Sequence, residues 1–515
     1  MKVLTVQEMK ELESDLDSYG VSYDTMMQFA GRNLAIWIIN KFQSNEQRII
    51  LGLIGSGKNG SDTLITLTEL ISRGWFCLAY CVKERPQEDH LLEVFVKSGG
   101  FVVGDINQLR GLIYQSPMIL DGILGTGFHP PLEMELKNKL LMINQFISSI
   151  NVTPVIIAVD CPSGVDCDSG EVSKEVMNAK YTACMGAVKV GLLKFPAFQF
   201  CGEFVQIDIG LPEGFPGIDR NRSNLIDDKY FNSNIKKRHL DAHKGSFGRC
   251  AILAGSEKYP GAAYLAGKAA YLSGAGLVGI FSSNELKIQL SGILPEAVWW
   301  EIDHEYIDKG FIQSITTFLI GPGLDHITDS FSRFSKLIKY LEEFDSFKNC
   351  QIIFDADGLR LLGKIDNWWR KFPSTTILTP HPGEMAELTG LSVSEIQSAR
   401  WEIVRHFASK WNKIVLLKGA ISVVANPDGE IGIIPVATSA LSKAGTGDIL
   451  SGLIAGLCAQ GNEPYKASLM GAYIHARAGL MLENKYGQTY TITASEVLAA
   501  IPSVISALKI AGNQS

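Results

Sequence analysis

The sequence predicts an α/β protein of two domains, each built around a largely parallel sheet. Short apolar, β-branched runs alternate along the chain with glycine-rich loops and helix-like segments, the pattern of strands joined by crossover helices. The 515 residues exceed the roughly 250–300 that one hydrophobic core usually organises. A segment rich in glycine and proline, residues 210–217, marks a linker. We therefore place the domain boundary near residue 220, with domains at 1–220 and 221–515.

Composition limits the class of protein. Hydrophobic residues make up 46% of the chain and charged residues 20%, as in an ordinary globular protein. The net charge of −7 argues against a nucleic-acid partner. Nine scattered cysteines without a Cys-x-x-Cys pair fit reduced thiols better than disulfides or zinc. No apolar run reaches the ~18 residues of a membrane span, and the acidic N-terminal segment is unlike a signal peptide. We expect a cytoplasmic protein with no membrane partner.

The first domain opens with two predicted helices within residues 1–45, followed by a buried strand at 48–54. A glycine-rich loop is predicted at 55–62, then a helix to about residue 73 and a second strand at 76–82. The loop contains Gly-x-Gly-x-x-Gly, but no acidic residue stands directly at the end of the second strand. The P-loop pattern is absent. This glycine triplet alone is therefore weak evidence of a nucleotide site.

Two later strands of this domain also end in oxygen-bearing side chains. Residues 117–121 end in Asp121 before a glycine-rich loop, and residues 155–159 are followed by Asp160 and Ser163. Because the ends of parallel strands line one crevice, Asn59, Asp121 and Ser163 are expected to converge as oxygen ligands of a cation. Asp160 then faces a substrate. Each residue taken singly is better explained as a turn or cap residue, whereas the three loops together favour a site. Further strands are predicted near 181–185 and 203–209.

The second domain repeats this arrangement. Strands are predicted at 249–254, 318–320, 352–354, 376–378 and 414–417, with a hairpin at 423–436. Helices are predicted at 261–273 and 494–510, and two long helices are predicted between 448 and about 483. The strand ends carry Asp355, Asp357, His381 and Lys418. The two aspartates either bind magnesium or cap a helix.

Residues 445–448 read Gly-Thr-Gly-Asp immediately before an apolar helix. A glycine turn at a helix N-terminus offers unpaired N–H groups to an anion. Asp448 beside it suits a general base that takes a proton from a hydroxyl attacking a bound phosphate. The plainer interpretation is that Asp448 caps the helix.

The first-domain loops resemble the epimerase domain of NAD(P)H-hydrate repair enzymes. The resemblance rests on Leu-Asp-Gly-Ile-Leu-Gly-Thr-Gly at 120–127, Val-Asp-Cys-Pro-Ser-Gly at 159–164 and Lys-Val-Gly-Leu at 189–192. It implies a Rossmann-like αβα fold that interconverts the R and S epimers of hydrated NADH and NADPH, with Asp160 catalytic. It also implies potassium bound by Asn59, Asp121 and Ser163. The implied hydrate contacts are Lys58, Asn59, Gly60, Ser61, Asp62, Gly125, Thr126, Gly127, Phe128, His129, Pro130, Pro131 and Asp160.

The first loop departs from the family's Gly-x-Gly-Asn-Asn-Gly-Gly-Asp-Gly at Lys58, Ser61 and Thr63, and keeps Asn59 and Asp62. A side chain at 61 or 63 is expected to hinder close backbone approach to a ligand. Lys58 brings a cation to the potassium site or itself binds phosphate. These departures leave open a first domain that binds without catalysing.

The second domain resembles the dehydratase domain of the same enzymes, which has a ribokinase-like αβα fold. The motifs are Lys-Gly-x-Phe-Gly at 244–248, Gly-Pro-Gly at 321–323, Asp-Ala-Asp at 355–357, Thr-Pro-His-Pro-Gly-Glu at 379–384, Lys-Gly at 418–419 and Gly-Thr-Gly-Asp at 445–448. The resemblance implies phosphoryl transfer from ADP followed by elimination, with Asp448 as base and magnesium on the phosphates. The implied hydrate contacts are Ala262, Gly323, His381 and Asp448. The implied nucleotide contacts are Lys418, Gly419, Ala420, Ile421, Ser422 and Gly447.

The resemblance covers nearly the whole chain and points to the bifunctional fusion of both domains. It implies ADP rather than ATP as co-substrate, hydrated NADH or NADPH as substrate, and a homo-oligomer. The alternative is a ribokinase-like kinase of a vitamin precursor with a non-catalytic N-terminal binding module. The two differ in product, because the kinase releases ADP and a stable phosphoester whereas the repair enzyme releases AMP and restored NADH.

Overall fold

The computed structural model describes residues 1–43, 48–215, 217, 220–301, 309–325, 332, 334–336, 338 and 350–512. The chain divides into two compact units, an N-terminal unit of residues 1–223 and a C-terminal unit of residues 224–515. The α/β class predicted from the sequence is confirmed in both units. Within the described residues, no helix combines the length and apolarity needed to cross a bilayer.

The N-terminal unit contains nine described strands and seven described helices. The strands are β1 (Val3–Leu4), β2 (Ile49–Ile54), β3 (Phe76–Cys81), β4 (Phe101–Val103), β5 (Met118–Gly122), β6 (Val155–Val159), β7 (Tyr181–Met185), β8 (Val188–Lys189) and β9 (Glu203–Ile207). The helices are α1 (Val6–Tyr19), α2 (Tyr23–Lys41), α3 (Lys58–Ser72), α4 (His90–Lys97), α5 (Ile106–Gln115), α6 (Met134–Ser148) and α7 (Phe198–Cys201).

Seven of these strands form a parallel sheet in the order β4-β3-β2-β5-β6-β7-β9. Successive side chains of a strand point to opposite faces. In β2, Ile50 and Ile54 join a core with α1, α2 and α3, whereas Leu51 and Leu53 join a second core with α5 and α6. Both faces are therefore buried, which gives the three-layer αβα architecture and explains the continuous apolar strands.

The C-terminal unit contains ten described strands and eleven described helices. The strands are β10 (Ser223–Leu225), β11 (Arg249–Leu253), β12 (Leu277–Ser282), β13 (Val298–Glu301), β14 (Thr317–Ile320), β15 (Gln351–Phe354), β16 (Ile377–Leu378), β17 (Ile414–Leu417), β18 (Val423–Ala425) and β19 (Ile431–Ile433). The helices are α8 (Asp228–Asn234), α9 (Pro260–Ser273), α10 (Asn284–Leu290), α11 (Lys309–Gln313), α12 (Asp357–Gly363), α13 (Pro382–Thr389), α14 (Val393–Ser398), α15 (Arg400–Trp411), α16 (Thr446–Ala459), α17 (Pro464–Tyr486) and α18 (Ala494–Gly512).

These strands form one sheet in the order β10-β19-β18-β17-β16-β15-β14-β11-β12-β13. The strands from β13 to β17 are parallel, and β17, β18 and β19 are antiparallel neighbours. Leu319 and Ile353 pack into a core with α9, α16, α17 and α18. Phe354, next in its strand, contacts Phe372 at 5.1 Å between ring centroids on the other face. The predicted hairpin is therefore the antiparallel border of a parallel sheet.

One predicted boundary in the N-terminal unit is wrong. The loop after β2 is only residues 55–57, because α3 begins at Lys58, with Gly57 as its N-cap. The residues assigned to a loop, Asn59 to Asp62, are typical turn formers. A first helical turn tolerates them, since its N–H groups need no intrahelical partner. Gly60 in this turn packs directly against the preceding loop, where a Cβ would be 2.1 Å from the Gly55 carbonyl oxygen.

Candidate active sites

Strand ends of the C-terminal unit bring charged side chains to one edge of its sheet. Lys418 follows β17 and donates from Nζ to Oδ1 of Asp355, which follows β15, at 2.7 Å. Thr379, after β16, donates to the same oxygen at 2.8 Å. Glu384 Oε2 lies 3.7 Å from Lys418 Nζ. Because β15, β16 and β17 are adjacent and parallel, their ends assemble this cluster directly.

The surroundings raise the pKa values of both Lys418 and Glu384. Burial opposes the charge of Lys418, but Asp355 and Glu384 raise the pKa of its ammonium above the ordinary value. Burial raises the pKa of Glu384, with Lys418 opposing the rise. Lys418 therefore stays cationic at neutral pH and is available to an anionic ligand.

Asp448 lies in the first turn of α16, beside this cluster. The helix N-cap is Gly445, which adopts φ 90°, so the interpretation of Asp448 as the cap is wrong. Burial, followed by the charge of Asp355, raises the pKa of Asp448 to about 7, while Lys418 opposes the rise. A Cβ on Gly447 would lie 3.7 Å from Lys418 Nζ. A carboxyl with a pKa near neutrality thus lies in the first turn of this helix, within the influence of a buried cation.

Helix α9 starts at the same end of the unit as α16. A Cβ on Gly452 of α16 would lie 2.3 Å from the Ala266 carbonyl oxygen, and one on Gly456 would lie 2.2 Å from that of Ala270. The two helices therefore run side by side in the same direction. Ala262 and Asp448 each stand one turn before these contacts, at the shared N-terminal end.

Gly323 lies against Ala262 at the N-terminal end of α9. The residue follows β14 with φ 62°, and a Cβ there would lie 2.6 Å from the Ala262 Cβ. Only glycine fits this backbone conformation and this space without strain. Three of the predicted hydrate contacts, Ala262, Gly323 and Asp448, are thus brought to one end of α9 and α16.

His381 is the N-cap of α13. Its Nδ1 accepts hydrogen bonds from the backbone N–H groups of Gly383 at 3.0 Å and Glu384 at 3.2 Å. Its Nε2 lies 3.3 Å from Glu384 Oε1, and half of the side chain is exposed. Since Nδ1 accepts, the ring proton belongs on Nε2, and the exposed edge of the ring is held in a fixed orientation. The sequence indicated a hydrate contact here and missed the capping role.

The predicted nucleotide segment, residues 418–422, connects β17 to β18. Arg400 of α15 fixes the conformation of this segment. Its Nη2 donates to the carbonyl oxygens of Leu417 (3.3 Å), Lys418 (3.2 Å) and Ile421 (3.1 Å). A Cβ on Gly419 would lie 2.6 Å from this guanidinium. Sequence reasoning missed Arg400, since nothing in the intervening residues links it to the segment it supports.

Asp357 opens α12, where Ala356 is the N-cap, so neither Asp355 nor Asp357 caps that helix. Asp357 Oδ2 accepts from the Asp325 N–H at 2.9 Å, and Arg360 donates to its Oδ1 at 3.2 Å. Among the described residues, no three His, Cys, Asp or Glu side chains form a metal-binding group. Two carboxylates at one sheet edge still fit magnesium, which usually binds one or two carboxylates together with substrate phosphates.

In the N-terminal unit, the three predicted cation ligands share one hydrogen-bond network. Ser163 donates from Oγ to Oδ1 of Asp121 at 2.5 Å and from N–H to Oδ2 at 2.8 Å. The Ser163 Oγ accepts from the N–H of Leu124 at 2.9 Å, and the Leu124 carbonyl accepts from Asn59 Nδ2 at 3.1 Å. The loops after β2, β5 and β6 therefore converge, as expected of this sheet order.

The Asp121 carboxyl fits a neighbouring cation. It is fully buried, and burial raises its pKa to about 6 against the hydrogen bonds from Ser163. Across the described residues, no lysine, arginine or histidine forms an ion pair with Asp121. An uncompensated buried carboxylate among amide, hydroxyl and carbonyl oxygens is a donor set suited to a hard monovalent ion.

Asp160 is held in place from the next strands. It adopts φ 68°, and its Oδ1 accepts from the Met185 N–H at 2.9 Å and from the Lys189 ammonium. Lys189 is 1% exposed and also donates to the carbonyls of Met185 and Ala187, both at 3.1 Å. Burial opposes its charge, but Asp160 raises the pKa of Lys189. Sequence reasoning did not assign this contact of Lys189 with Asp160, although Lys189 lies in a quoted motif.

A cavity of about 470 Å³ opens at the ends of β2, β3 and β5. Eight of the predicted hydrate contacts line it: Lys58, Asn59, Gly125, Thr126, Gly127, Phe128, His129 and Pro131. The other five predicted contacts do not: Gly60, Ser61, Asp62, Pro130 and Asp160. Asp62 instead lines a separate cavity of about 60 Å³ with Glu13 and Tyr23, where burial, followed by the charge of Asp160, raises its pKa well above the ordinary value.

Two of the three departures in the first loop, Ser61 and Thr63, lie outside the lining of the larger cavity, whereas Lys58 belongs to it. Ser61 Oγ accepts from Arg85 at 3.2 Å, and Thr63 Oγ1 donates to the Asn59 carbonyl at 2.7 Å. Neither side chain lines the cavity, so neither narrows it. The Lys58 ammonium turns to Glu13 at 3.1 Å and lies 4.7 Å from the Tyr23 ring centroid.

Two family models match the chain. Residues 23–191 match the YjeF-related protein N-terminus, and residues 250–503 match NAD(P)H-hydrate dehydratase. The chain is 31% identical to the bifunctional NAD(P)H-hydrate repair enzyme of Moorella thermoacetica, over 99% of this chain and 97% of that protein. The chain belongs to the bifunctional NAD(P)H-hydrate repair enzymes. This membership confirms the family predicted from the sequence and does not favour the vitamin-precursor kinase.

Other members of the family align with this chain almost end to end. The protein of Dictyoglomus turgidum is 28% identical, with 98% of each chain covered. That of Escherichia coli is 29% identical, with 95% of this chain and 91% of the other covered. A crystal structure of the ADP/ATP-dependent NAD(P)H-hydrate dehydratase of Bacillus subtilis, with ATP and Mg²⁺, is 30% identical, covers 55% of this chain and 97% of its own, and has a TM-score of 0.48.

Proposed function

We propose that the C-terminal unit dehydrates the S epimer of hydrated NADH or NADPH with ADP, and that Asp448 is its catalytic base. The observation that carries this proposal is the position of Asp448, half-buried at the start of α16 beside Lys418 and Asp355. A base works best when its pKa lies near the operating pH, and burial gives Asp448 a pKa of about 7.

Asp448 takes the proton of the hydrate hydroxyl while that oxygen attacks the terminal phosphate of ADP. The N–H groups at residues 445–447 stabilise the negative charge that develops on the phosphate. The phosphorylated carbon then loses phosphate, with electrons supplied by the ring nitrogen, and loss of a proton from the adjacent ring carbon to water restores the ring double bond of the reduced nicotinamide. AMP and phosphate are the other products.

The nucleotide binds at the same edge of the sheet. Lys418 supplies a fixed positive charge, and residues 418–422 form the loop that Arg400 holds in shape. His381, Ala262 and Gly323 supply the wall that receives the hydrate. Magnesium, carried by the phosphates and by Asp355 or Asp357, would neutralise phosphate charge. The preference for ADP over ATP stays a prediction.

For the N-terminal unit we propose epimerisation of the R and S hydrates, with Asp160 catalytic and Lys189 orienting its carboxylate. The 470 Å³ cavity receives the nucleotide part of the hydrate. Asn59, Asp121 and Ser163 would hold potassium, which would supply the positive charge that the buried Asp121 carboxylate otherwise lacks. A cytoplasmic location and a homo-oligomeric state stay predictions.

Incubation of an R/S hydrate mixture with ADP, and separately with ATP, tests both proposals. We expect both epimers to disappear, with one AMP and one phosphate released per NADH or NADPH restored from ADP. Release of ADP from ATP together with a stable phosphorylated hydrate would contradict the dehydratase mechanism. Loss of only the S epimer, with the R epimer decaying at its spontaneous rate, would contradict epimerisation.

A further inference from the structure

Lys83 reaches the larger cavity of the N-terminal unit from the end of β3, and the proposed chemistry leaves it without a task. It lines the 470 Å³ cavity together with residues of the turn after β2 and of the loop after β5. Its side chain is 32% exposed, and its Nζ lies 3.1 Å from Glu133 Oε2. Glu133 is 77% exposed, and an ion pair this open to water contributes little stability. The ammonium is therefore available to a stronger anion.

The strand order of the sheet predicts which part of a bound dinucleotide would lie beside Lys83. The order β4-β3-β2-β5-β6-β7 is that of a dinucleotide-binding sheet, in which β2 is the first strand and β3 the second. In such sheets the glycine turn after the first strand approaches the pyrophosphate. The residue after the second strand meets the adenosine ribose, where an acid binds a free 2′-hydroxyl and a cation accommodates a 2′-phosphate.

The charged residues next to Lys83 in the sequence are not positioned to bind the adenosine ribose or its 2′-phosphate. Glu84, the adjacent acid, is exposed and does not line the cavity. Arg85 is committed to Asp89 and to the Gly55 carbonyl, both at 2.5 Å, and pins the glycine turn. Lys58 also lines the cavity, but it begins the helix after the first strand, where the pyrophosphate is expected, and does not follow the second strand. Lys83 is thus the cation that stands at the ribose position.

We propose that Lys83 forms a subsite for the adenosine 2′-phosphate, so that the N-terminal unit prefers hydrated NADPH to hydrated NADH. This inference rests on the proposed epimerase function for its substrate, but its geometry needs only that a dinucleotide occupies the cavity. An ammonium bound to a phosphate dianion forms a charge-assisted hydrogen bond, stronger than the exposed pair with Glu133 that it replaces.

Epimerisation by the full-length protein, measured without adenine nucleotide so that dehydration cannot proceed, tests the preference. We expect Lys83→Ala to lower the ratio of kcat/KM for hydrated NADPH to that for hydrated NADH by roughly tenfold, mostly through KM. Glu133→Gln, which frees Lys83, should raise the same ratio. Added salt should reduce the difference in kcat/KM between hydrated NADPH and hydrated NADH, since the site is partly exposed and its charges are screened.

Lys97→Ala is the matched control, because Lys97 pairs with Glu93 at the same 3.1 Å but does not line the cavity. It should leave the ratio unchanged. A ratio that is equal in the wild type, Lys83→Ala and Lys97→Ala would overturn the proposal. Lys83→Gln serves as a second variant should Lys83→Ala fold poorly, with retained dehydration as the check on folding.

Calorimetric titration with adenosine 2′,5′-bisphosphate and with 5′-AMP separates this inference from the proposed activity. The wild type should bind the bisphosphate more tightly at a site that weakens in Lys83→Ala, while 5′-AMP affinity stays the same. If no variant epimerises but this difference holds, the epimerase proposal fails and the subsite stands. If the bisphosphate binds both proteins equally, the subsite fails whatever the activity.

Discussion

Asp448 shows how a neighbouring ion pair sets the chemistry of a single carboxyl. Lys418 lies in hydrogen-bond contact with Asp355 at 2.7 Å and so neutralises that carboxylate first. Asp448 is left with burial and the residual charge of Asp355, which together raise its pKa to about 7. The same lysine can then serve an incoming phosphate without abolishing the basicity of Asp448.

The substitution Asp448→Asn keeps the shape of the side chain and removes the base. We expect dehydration to fall by roughly 10²–10⁴-fold, the usual contribution of general base catalysis, while ADP affinity stays near that of the wild type. Coupled assays of restored NADH and calorimetry with ADP give the two readouts. Asp366→Asn, at an exposed aspartate of the same unit, is the control. Near-normal turnover in Asp448→Asn would rule out the mechanism.

The raised pKa of Asp448 also predicts a pH dependence. The base must be ionised, so kcat/KM for dehydration should rise as the pH rises through about 7 and level off above it. One pH unit below the pKa, the rate should be roughly tenfold lower, because about a tenth of the carboxyl is ionised. Lys418 stays protonated over this range, since its pKa is raised. A pH–rate profile that is flat around neutrality would contradict this assignment.

At the scale of elements, the parallel pair α9 and α16 positions the dehydratase site. Gly452 and Gly456 allow the two helices to approach at the backbone, and this brings the first turns of both helices together. Ala262 and Asp448 owe their proximity to this contact rather than to their own side chains. The glycines of α16 are therefore structural residues on which the catalytic geometry depends.

Gly452→Ala should force these helices apart, because the added Cβ would lie 2.3 Å from the Ala266 carbonyl oxygen. We expect a loss of stability of about 1–3 kcal/mol, typical of overpacking, and a marked loss of dehydration with epimerisation retained. Chemical denaturation and the two activity assays measure this. Gly292→Ala, where a Cβ would meet nothing within 4 Å, is the matched control and should behave as the wild type.

At the scale of the whole molecule, the two units carry complementary reactions. The C-terminal unit accepts only the S hydrate in the proposed mechanism, and the N-terminal unit converts R into S. One chain therefore holds everything needed to clear a mixture of both epimers. Each unit has its own sheet and its own cores, so a substitution in one site is expected to leave the other intact.

Asp160→Asn tests that independence. The variant should keep the dehydration rate for the S hydrate and lose enzymatic epimerisation, because the carboxylate held by Lys189 is gone. With an R/S mixture and ADP, the S fraction should vanish quickly and the R fraction should follow at the spontaneous rate. Chromatography of both epimers over time gives the answer. Equal clearance of both epimers by this variant would mean that Asp160 is not catalytic.

Most of the architecture could be predicted from local sequence. Buried strands such as β6 and β17 are short, uniformly apolar runs flanked by proline or charged residues, so composition and length locate them closely. The start of α3 could not be found in this way. The turn-forming residues after Gly57 are also acceptable in a first helical turn, so local sequence does not decide between a loop and a helix there.

The sequence by itself determined the two α/β units, the family and the residues at the strand ends, because parallel sheets place the ends of their strands at a common edge. It could not determine which charges neutralise one another. Lys418 with Asp355, Arg400 beneath residues 418–422 and Lys189 on Asp160 are contacts between residues far apart in the chain. Such contacts depend on strand order and helix packing, and burial then sets the pKa of Asp448. The tertiary structure alone decided these features, because electrostatic energy depends on distance and solvent exposure rather than on sequence position.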